Sequence, residues 1–501
     1  MSDLPIQRRL ERQLIRQEAR LEAGAGDRWI PTLTTLLLAF VFVRSGLARI
    51  RSLDTGLDLA AYSQSLWLIS EGKLPQASLL GTGVHLLELN WSFIMYPLAA
   101  VATVAPAPEL LAVVQGVALA VAVLPLWWLA RSVAQLRVGS STALIAAYAL
   151  HPATHRLGTD DFHPESLAVP AILAMAYFGA TKRWLPYWLA IAFALATRAD
   201  IGLAVALWGF VVLGNRERVM GFWTVGVGLV WSLGLLMVVE PLVGITGLVD
   251  GSFSADGAFI DNLVLGPLRD PVQLVQDLVA KDNIDLVVGL LAPLIFLPLL
   301  SLRYLAPAFP LGALYLVADP EVASAFAERS AILLAFMMIA AAYALNRLGN
   351  MGVDRVFLDA RVLSTLTAAS VLLFVAESPV SPYERPWNWG ERTAIDESIL
   401  VAVDKIDDDV AVRASPSSLT ALSARDWIFT LDPDRPPTAA QAGFPDFTRA
   451  VLVIEGEIPD WSEGGRDDFD QSMLAQGFQI IHDDEGVVLY SRQDDEVAGD
   501  G

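Results

Sequence analysis

The sequence predicts a polytopic α-helical membrane protein of about eleven transmembrane helices, with a small C-terminal α/β domain outside the cytoplasm. Three observations lead to this fold class: 54% of the 501 residues are hydrophobic, only 18% are charged, and acidic residues concentrate in the last quarter of the chain. A soluble protein of this size cannot bury such an apolar fraction, because its exposed shell must be largely polar. The composition therefore excludes a single water-soluble enzyme, a disordered chain and a collagen-like fibre.

Residues 1–28 are predicted to form a basic helix on the cytoplasmic side of the membrane. Five arginines recur along this segment, namely Arg8, Arg9, Arg12, Arg16 and Arg20. No small-residue cleavage pattern follows the first apolar run, so that run is interpreted as an uncleaved membrane anchor.

Apolar runs fill most of residues 29–377, which form the predicted transmembrane domain. About 20 apolar residues cross the hydrocarbon core, and fewer suffice for a helix inside a bundle. Eleven runs meet this condition: 30–48, 108–130, 139–153, 166–181, 184–198, 200–214, 219–244, 284–301, 303–319, 329–346 and 360–377. A twelfth run, 91–107, either spans the bilayer or lies in its interface.

The placement of lysine and arginine decides how the run 91–107 is interpreted. If this run stays outside the bilayer, every short basic loop falls on the side of the arginine-rich N-terminus, as the positive-inside rule requires. These loops hold Arg131, Arg137, Lys182, Arg183, Arg216, Arg218, Arg303, Arg347, Arg355 and Arg361. The N-terminus is therefore predicted to be cytoplasmic, while the outer loops 49–107, 152–165 and 245–283 and the C-terminal domain face outside.

The C-terminal residues 378–501 are predicted to form an acidic soluble α/β domain with a frayed acidic end. From residue 377 onward there are 27 acidic and 9 basic side chains, which account for −18 of the net charge of −21. Such a charge repels nucleic acid, so no nucleic-acid partner is expected. The chain has no cysteine, which excludes disulfides and thiol chemistry. Hydropathy predicts helices over 391–406 and 467–476, and strands at 410–412, 427–431, 450–454, 478–481 and 487–490.

The first outer loop contains a candidate functional carboxylate, Asp58. Residues from Gly56 to Trp67, which include Gln64, have helical spacing and predict an amphipathic helix in the membrane interface. Asp58 falls in the first turn of this helix, where a carboxylate favours the positive end of the helix dipole. From the residues alone Asp58 is either such a cap or a functional group, and both interpretations stay open.

The second outer loop concentrates ionisable side chains at the mouth of the predicted bundle. Three of the five histidines, His151, His155 and His163, fall within 13 residues, together with Asp161 and Glu165. Such a group suits a divalent ion, or a base paired with a cation that steers phosphate. The spacing matches no closed zinc motif. A hydrogen-bonded loop that ties helix ends together is an equally good interpretation.

Arg198 and Asp200 occupy a later outer turn, between two predicted spans. Charges at membrane depth are costly unless they are paired or wet, and they often mark functional sites. The two residues are therefore either functional or simply exposed to water at the outer surface.

Several of these motifs occur in an order that resembles a known family. They are Gly56-Leu57-Asp58-Leu59 with Gln64 and Trp67, His151-Pro152, Asp161-Phe162-His163-Pro164-Glu165, Arg198-Ala199-Asp200 and residues 293–301. Residues 35–480 thus resemble the predicted membrane proteins called domain of unknown function 2079 (DUF2079), which are grouped with the GT-C fold of membrane glycosyltransferases. The resemblance implies a GT-C-like membrane domain that transfers a sugar from a polyprenyl-phosphate donor on the outer face of the membrane.

The resemblance also implies which residues form the site. GT-C enzymes have an acidic residue of the first outer loop at the catalytic centre, and Asp58 matches that position. His163 and Glu165 are expected to be catalytic with it, and a divalent cation, Mg²⁺ or Mn²⁺, would take Asp58 and His163 as candidate ligands. Arg198 is expected to offset the charge of the phosphate. The expected substrate-binding residues are Gln64, Asn90, Asp161, Arg198 and Asp200.

The chain departs from the family pattern at three places. Asn90 stands where a histidine is usual, the corner Arg198-Ala199-Asp200 has one carboxylate fewer, and Glu328-Arg329 replaces a His-Tyr pair. The expected partners are membrane lipid and a polyprenyl-phosphate-linked sugar. The alternative to an enzyme is a membrane scaffold that presents the acidic tail, or a transporter of envelope components. Transport is disfavoured because the ionisable residues collect at the outer rim rather than at mid-bilayer.

Overall fold

The computed structural model describes residues 24–80, 85–87, 91–235, 281–312, 326–351, 355–377, 389–431, 448–457 and 465–492. The chain divides into two compact units. The first comprises Met1–Val43, Asn90–Ser92 and Val114–Glu384, and the second comprises Arg44–Leu89, Phe93–Val113 and Arg385–Gly501. Four predicted features lie outside the described residues: the N-terminal helix before residue 24, the outer loop up to residue 280, Asn90, and the side chains of Glu328 and Arg329.

The described part of the chain is mostly helical, as the composition predicts. The helices are α1 (Gly26–Arg51), α2 (Leu57–Ser70), α3 (Met95–Ala102), α4 (Ala107–Val121), α5 (Val123–Trp128), α6 (Val138–Ala149), α7 (Pro152–Thr159), α8 (Ala168–Ala180), α9 (Trp184–Leu195), α10 (Ile201–Gly214), α11 (Arg218–Gly234), α12 (Lys281–Leu291), α13 (Leu302–Leu305), α14 (Phe326–Leu348), α15 (Ala360–Glu377), α16 (Ala394–Val403) and α17 (Gly465–Ala475). Short 3₁₀ turns, including Pro164–Leu167, Ala292–Leu294 and Leu297–Ser301, join some of them.

Four described helices are long and apolar enough to cross a membrane: Gly26–Arg51, Ala107–Val133, Ser330–Leu348 and Ala360–Glu377. A bent pair, Ile284–Leu294 and Leu297–Gly312, makes a fifth if it counts as one span. The other apolar helices have 10–17 residues. At about 1.5 Å per residue they reach roughly 15–26 Å, short of the ~30 Å hydrocarbon core. The described helices therefore support a membrane protein, and the number of eleven spans stays a prediction.

Close helix contacts in the first unit depend on glycine. At Gly158 of α7, an added Cβ would lie 2.4 Å from Cδ1 of Phe42, a ring of α1 that is buried in the core. Helices α10 and α11 meet at Gly202 and Gly228, where a Cβ on either glycine would approach the other's carbonyl oxygen to 2.6 Å or less. A side chain at these positions would force the helices apart, because packed interiors leave no room for an extra methyl group.

A helix break separates α12 from the turns that follow it. The two halves of the pair Ile284–Leu294 and Leu297–Gly312 are inclined by 83°. Ile295 and Phe296 at the break have φ of 46° and 57°, in the left-handed region that non-glycine residues rarely adopt. Side chains from elsewhere in the unit bind carbonyl groups near the break. His151 Nε2 donates to the oxygen of Leu290 at 3.0 Å, and Ser370 Oγ donates to that of Pro293 at 3.0 Å.

The second unit contains a five-stranded sheet in the order β4-β3-β5-β7-β6. The strands are β3 (Val412–Ala414), β4 (Ile428–Thr430), β5 (Ala450–Ile454), β6 (Gln479–Asp484) and β7 (Val487–Ser491), and each overlaps or adjoins an apolar run that predicts a strand. Strand β3 pairs in parallel with β4 and β5, whereas β7 is antiparallel to β5 and β6. A two-stranded ribbon, β1 (Asn350–Met351) and β2 (Val356–Phe357), belongs to the first unit.

Helix α16 begins where the sequence carries a start signal. Thr393 Oγ1 accepts from the backbone N–H of Asp396, and the Asp396 carboxylate accepts from the backbone N–H of Thr393. This reciprocal capping box satisfies two N–H groups at the start of the helix. The apolar face of α16, which includes Ile399 and Ala402, packs on the sheet in one hydrophobic core.

Candidate functional site

A buried ion cluster in the first unit centres on Arg198. Its Nε and Nη2 donate to the two carboxylate oxygens of Asp200 at 2.9 and 2.7 Å, and its Nη1 donates to Oε1 of Glu165 at 2.9 Å. All three side chains are only 4% exposed. The sequence left open whether Arg198 and Asp200 face water, and the structure buries both of them in a charge-assisted network.

Proline and a short turn deliver Glu165 to this cluster. The backbone of His163 is extended (φ −130°, ψ 120°), because the proline that follows it disfavours helical geometry. The 3₁₀ turn Pro164–Leu167 then carries Glu165 in its first turn, and the whole turn is buried. The motif that best marks the family resemblance is thus the segment that positions this carboxylate.

The corner that carries Arg198 is held by hydroxyl groups from two distant segments. Ser92 Oγ donates to the carbonyl oxygen of Thr197 at 3.0 Å, and Ser232 Oγ of α11 donates to that of Ala199 at 2.6 Å. Asp200 directly precedes α10, but its carboxylate does not cap that helix. It binds Arg198 instead, so the corner is built around the guanidinium.

Gln115 belongs to this site although none of the sequence motifs includes it. From α4, its Nε2 donates to the carbonyl oxygens of Leu157 and Asp161 at 2.8 Å each. Its Oε1 accepts from the backbone N–H of His163 at 2.8 Å and from Ser166 Oγ at 3.1 Å. One amide therefore fixes the loop on both sides of the Asp-Phe-His-Pro-Glu motif. The signal that could have found it is a lone amide inside an apolar span, where a polar side chain needs a partner.

The carboxylate of Glu165 is ionised, and one of its two oxygens has no hydrogen-bond partner among the described residues. Burial raises the pKa of Glu165, but Arg198 and His163 together with hydrogen bonds outweigh this effect, so the pKa lies below its usual value. Oε1 binds Arg198, whereas Oε2 is buried and has no hydrogen-bond partner among the described residues. An unsatisfied buried oxygen of this kind is costly and favours a ligand that donates a hydrogen bond.

The three histidines of the second outer loop do not act as one group. His151 binds the oxygen of Leu290, and His155 Nε2 donates to the oxygen of Ala149 at 2.7 Å. His163 is buried near Glu165, close enough to lower the pKa of that carboxyl. The interpretation of a loop that ties helix ends together thus holds for His151 and His155, while His163 belongs to the ion cluster.

The expected divalent cation, with Asp58 and His163 as its candidate ligands, stays a prediction. Within the described ranges, no three His, Asp or Glu side chains are grouped so that they could hold one together. Glu165 and Asp200, the carboxylates nearest to the predicted site, are already bound to Arg198. Asp161 is buried, and its backbone carbonyl accepts the hydrogen bond by which Gln115 fixes this loop.

Asp58 and Gln64 belong to the second unit, on helix α2. Asp58 lies exposed in the first turn, and the N-cap position is Gly56 rather than Asp58. Gln64 is buried, and its Nε2 donates to Ser78 Oγ at 3.0 Å and to the carbonyl oxygens of Arg425 and Asp426 at 3.1 and 3.2 Å. These bonds give Gln64 a structural task, joining α2 to the C-terminal sheet region, and its role in substrate binding stays a prediction.

The fold is similar to that of GT-C glycosyltransferases. ArnT from Cupriavidus metallidurans bound to undecaprenyl phosphate aligns with a TM-score of 0.52 and 11% identity, over 93% of this chain and 99% of that chain. Apo ArnT from the same organism aligns at 0.42 and 12% identity, over 91% and 97%. The apo oligosaccharyltransferase of Archaeoglobus fulgidus aligns at 0.41 and 12% identity, over 94% and 76%. At such low identity the first of these likenesses concerns the fold alone.

No curated protein matches the chain in a sequence comparison. The family described as "Predicted membrane protein (DUF2079)" matches residues 49–489, well over half of the chain. The match includes the first-loop motif around Asp58, the Asp-Phe-His-Pro-Glu motif and the Arg198 corner, and it extends through strand β6 of the tail. The protein therefore belongs to the DUF2079 family of predicted membrane proteins.

Proposed function

We propose that the protein is a GT-C-type membrane glycosyltransferase that takes a sugar from a polyprenyl-phosphate donor on the outer face of the cell membrane. The observation that carries this proposal is Glu165, a buried ionised carboxylate whose Oε2 has no hydrogen-bond partner among the described residues. It is supported by the fold, which resembles that of an ArnT structure holding undecaprenyl phosphate over 93% of this chain.

A sugar hydroxyl is the donor that Glu165 lacks. Hydrogen bonds to a charged acceptor are about twice as strong as neutral ones, and stronger still where water is excluded. In the proposed complex, Oε2 accepts this bond while Oε1 stays bound to Arg198. His163 and Asp161, both buried in the same loop, complete the polar wall beside the sugar.

Arg198 has a different task in this proposal from the one expected from the sequence. Its charge was expected to offset a phosphate, yet its guanidinium already serves two carboxylates, Glu165 and Asp200. One cation between two buried anions leaves no excess positive charge for a third anion. We therefore assign Arg198 as a positioning residue that fixes the orientation of Glu165.

In the proposed reaction, Asp58 accepts the proton of the acceptor hydroxyl. The acceptor oxygen forms a bond to the anomeric carbon of the sugar as the bond from that carbon to the phosphate oxygen breaks. The polyprenyl phosphate leaves with the bonding electron pair. General base catalysis of this kind contributes about 10²–10⁴-fold in rate. No step of this scheme is routed through Mg²⁺ or Mn²⁺.

The test uses the full-length protein in lipid vesicles with labelled polyprenyl-phosphate sugars, with and without Mg²⁺ or Mn²⁺. Release of polyprenyl phosphate is expected from the native chain, and a loss of at least about 10²-fold from Asp58→Asn and Glu165→Gln. Asp54→Asn is the matched control, since Asp54 is an exposed carboxylate in the same loop as Asp58 and is paired only loosely with Arg49 at 3.9 Å.

Two outcomes would overturn the proposal. If folded native protein turns over no donor, the scaffold alternative, in which the acidic C-terminal domain is presented outside the cell, takes its place. If Asp58→Asn and Glu165→Gln both keep the activity of Asp54→Asn, transfer occurs but the assigned residues do not carry it.

A further inference from the structure

The second unit contains an open cavity of about 530 Å³ that none of the assigned site residues lines. Its wall comes from the end of α1, the end of α2, the residues before and at the start of α4, and two parts of the C-terminal domain. Small-molecule sites in proteins have volumes of roughly 300–1,000 Å³. The cavity is thus large enough for the headgroup and the first chain segment of a lipid.

Part of the lining of this cavity is apolar and comes from the ends of two helices that are long and apolar enough to span a membrane. Leu47 and Ile50 come from the last turns of α1, and Ala105 and Pro106 directly precede α4. Helix α1 and the helix that begins at Ala107 are both long and apolar enough to cross a membrane. The ends of spanning helices lie at the level of the lipid headgroups. This wall therefore suits the upper part of an acyl or prenyl chain.

The other side of the cavity carries two arginines, Arg51 and Arg392. Arg392 Nε donates to the backbone oxygen of Arg51 at 2.8 Å, which fixes the two residues beside each other. Within the described ranges, neither guanidinium forms an ion pair, and the terminal nitrogens of both are unused. This is unusual in a chain that has 27 acidic side chains from residue 377 onward, and Glu109 is the one acid among the residues that line the cavity.

Polar and aromatic groups complete the lining. The hydroxyl groups of Ser70, Thr420 and Ser423 border the same space, and Trp67 contributes its ring. The Lys73 ammonium lies 4.7 Å from the centre of the Trp67 ring. Tryptophan with a neighbouring cation is a common combination at the membrane interface, where one end of the ring is apolar and the other is wet.

We infer that this cavity binds the phosphate headgroup of an anionic membrane lipid. Arg51 and Arg392 hold the phosphate, Thr420 Oγ1 donates to one of its remaining oxygens or to the glycerol, and Leu47 and Ile50 cover the start of the chain. A free phosphate ion carries the same charge, but it has no apolar part that could contact the apolar residues of the lining. The position at the ends of two spans favours the lipid.

The test measures lipid binding by the full-length protein in detergent, with phosphatidylglycerol that carries brominated acyl chains. Bromine quenches the fluorescence of nearby tryptophan. The part of the quenching that is lost in Trp67→Phe reports lipid in this cavity, separately from the quenching of the other tryptophans. We expect Arg51→Gln and Arg392→Gln each to weaken binding by about tenfold, the usual effect of one charge-assisted hydrogen bond. Arg49→Gln is the matched control, because it removes an arginine of the same helix that does not line the cavity.

Ala421→Trp gives an independent variant. Ala421 is exposed and lines the cavity, so the larger side chain fills the space without entering the hydrophobic core. We expect quenching to disappear in this variant while its melting temperature stays that of the native protein.

Three results would overturn the inference. The first is equal binding of brominated phosphatidylcholine, which is zwitterionic. The second is quenching that survives Ala421→Trp, or that falls no further with Arg51→Gln and Arg392→Gln than with Arg49→Gln. The third is displacement by inorganic phosphate at the concentration of the lipid, which would assign the cavity to free anions.

Discussion

At the scale of single residues, we expect the loss of Arg198 from its buried ion cluster to lower the free energy of unfolding strongly. Removal of the guanidinium in Arg198→Met would leave Glu165 and Asp200 buried without their shared cation. Breaking a buried ion pair from one side costs about 3–5 kcal/mol, since the remaining charge has neither water nor partner. We expect a marked fall in melting temperature, measured by the fluorescence of the purified protein in detergent.

The control for this prediction is Arg466→Met. Arg466 contacts Asp470 at 3.7 Å and also pairs with Asp483, but its side chain is 32% exposed. Exposed pairs are worth about 0–1 kcal/mol, so this variant should melt close to the native protein. Equal effects of the two substitutions would contradict the view that burial gives the Arg198 cluster its strength. Arg198→Met combined with Glu165→Gln and Asp200→Asn should recover part of the loss.

A second prediction at this scale concerns pH and His155. Burial lowers the pKa of His155 to about 4, although its hydrogen bond to Ala149 acts in the opposite direction. In the unfolded chain the pKa is about 6.5, so between pH 6.5 and 4 the unfolded state binds more protons. Folding stability should therefore fall as pH decreases through this window, by at most about 3 kcal/mol from this residue.

The measurement is melting temperature against pH from 7 to 4, for the native chain and for His155→Phe. The His155 ring packs against Phe42 and Phe374, with centroid distances of 5.3 and 4.6 Å, so phenylalanine suits its surroundings. The variant should show a shallower fall in melting temperature over this range. Parallel curves for the two proteins would mean that His155 does not titrate with unfolding.

At the scale of elements, Gly158 tests how α7 packs on α1. An added Cβ would lie 2.4–2.8 Å from three ring atoms of Phe42, which is buried and has little room to move. Overpacking of this kind costs about 1–3 kcal/mol. Gly158→Ala should therefore lower the melting temperature, although alanine is the better helix former.

Gly139→Ala provides the comparison, because no atom lies within 4 Å of the added methyl at that position of α6. This variant should be as stable as the native protein or slightly more so. Phe42→Leu in the Gly158→Ala background should restore part of the loss. A Gly158→Ala protein that melts with the Gly139→Ala protein would show that α7 and α1 are less tightly packed than the structure indicates.

The sequence predicts these elements unevenly. The strands of the tail and helix α16 follow from short apolar runs and a capping signal, both of which are local. The break at Ile295 and Phe296 does not, because a β-branched residue and an aromatic one carry no preference for positive φ. Residues 284–301 and 303–319 consequently give two predicted spans, whereas the structure has one pair of helices bent by 83°. Its stability depends on His151 and Ser370, which are distant in sequence.

The candidate site was predicted to a similar extent. Glu165, Arg198 and Asp200 are brought together in one ion cluster with His163 near it, whereas their roles in catalysis and substrate binding stay predictions. The spacing of His151, His155 and His163 suggested a shared role. In the structure His151 binds the backbone carbonyl of Leu290 and His155 binds that of Ala149, so these two histidines do not act together with His163. Gln115 escaped notice because its five partners are 42–51 residues away along the chain.

At the scale of the whole molecule, composition predicts a membrane protein more reliably than it counts spans. The apolar fraction of 54% reflects every buried residue, whether it faces lipid or protein. Helices α6, α8, α9 and α10 are apolar yet shorter than the hydrocarbon core, and α6, α8 and α10 bury more than half of their residues, whereas α9 exposes Leu185 and Leu189. Hydropathy alone does not distinguish a helix packed inside a protein from one that spans the bilayer, because both present apolar faces to an apolar environment, so the number of spans stays a prediction.

The orientation of the chain can be tested directly, because the protein contains no cysteine. A single cysteine introduced at an exposed position is the only target for a membrane-impermeant maleimide. Ser132 is exposed in the basic loop predicted to be cytoplasmic, and Asp468 is exposed on α17 of the predicted outer domain. We expect Asp468→Cys to be labelled in intact cells, and Ser132→Cys only after the membrane is opened. The native chain should remain unlabelled in both conditions. Labelling of Ser132→Cys in intact cells would invert the predicted topology. The acidic domain would then lie inside the cell, and it could not take part in a transfer reaction on the outer face of the membrane.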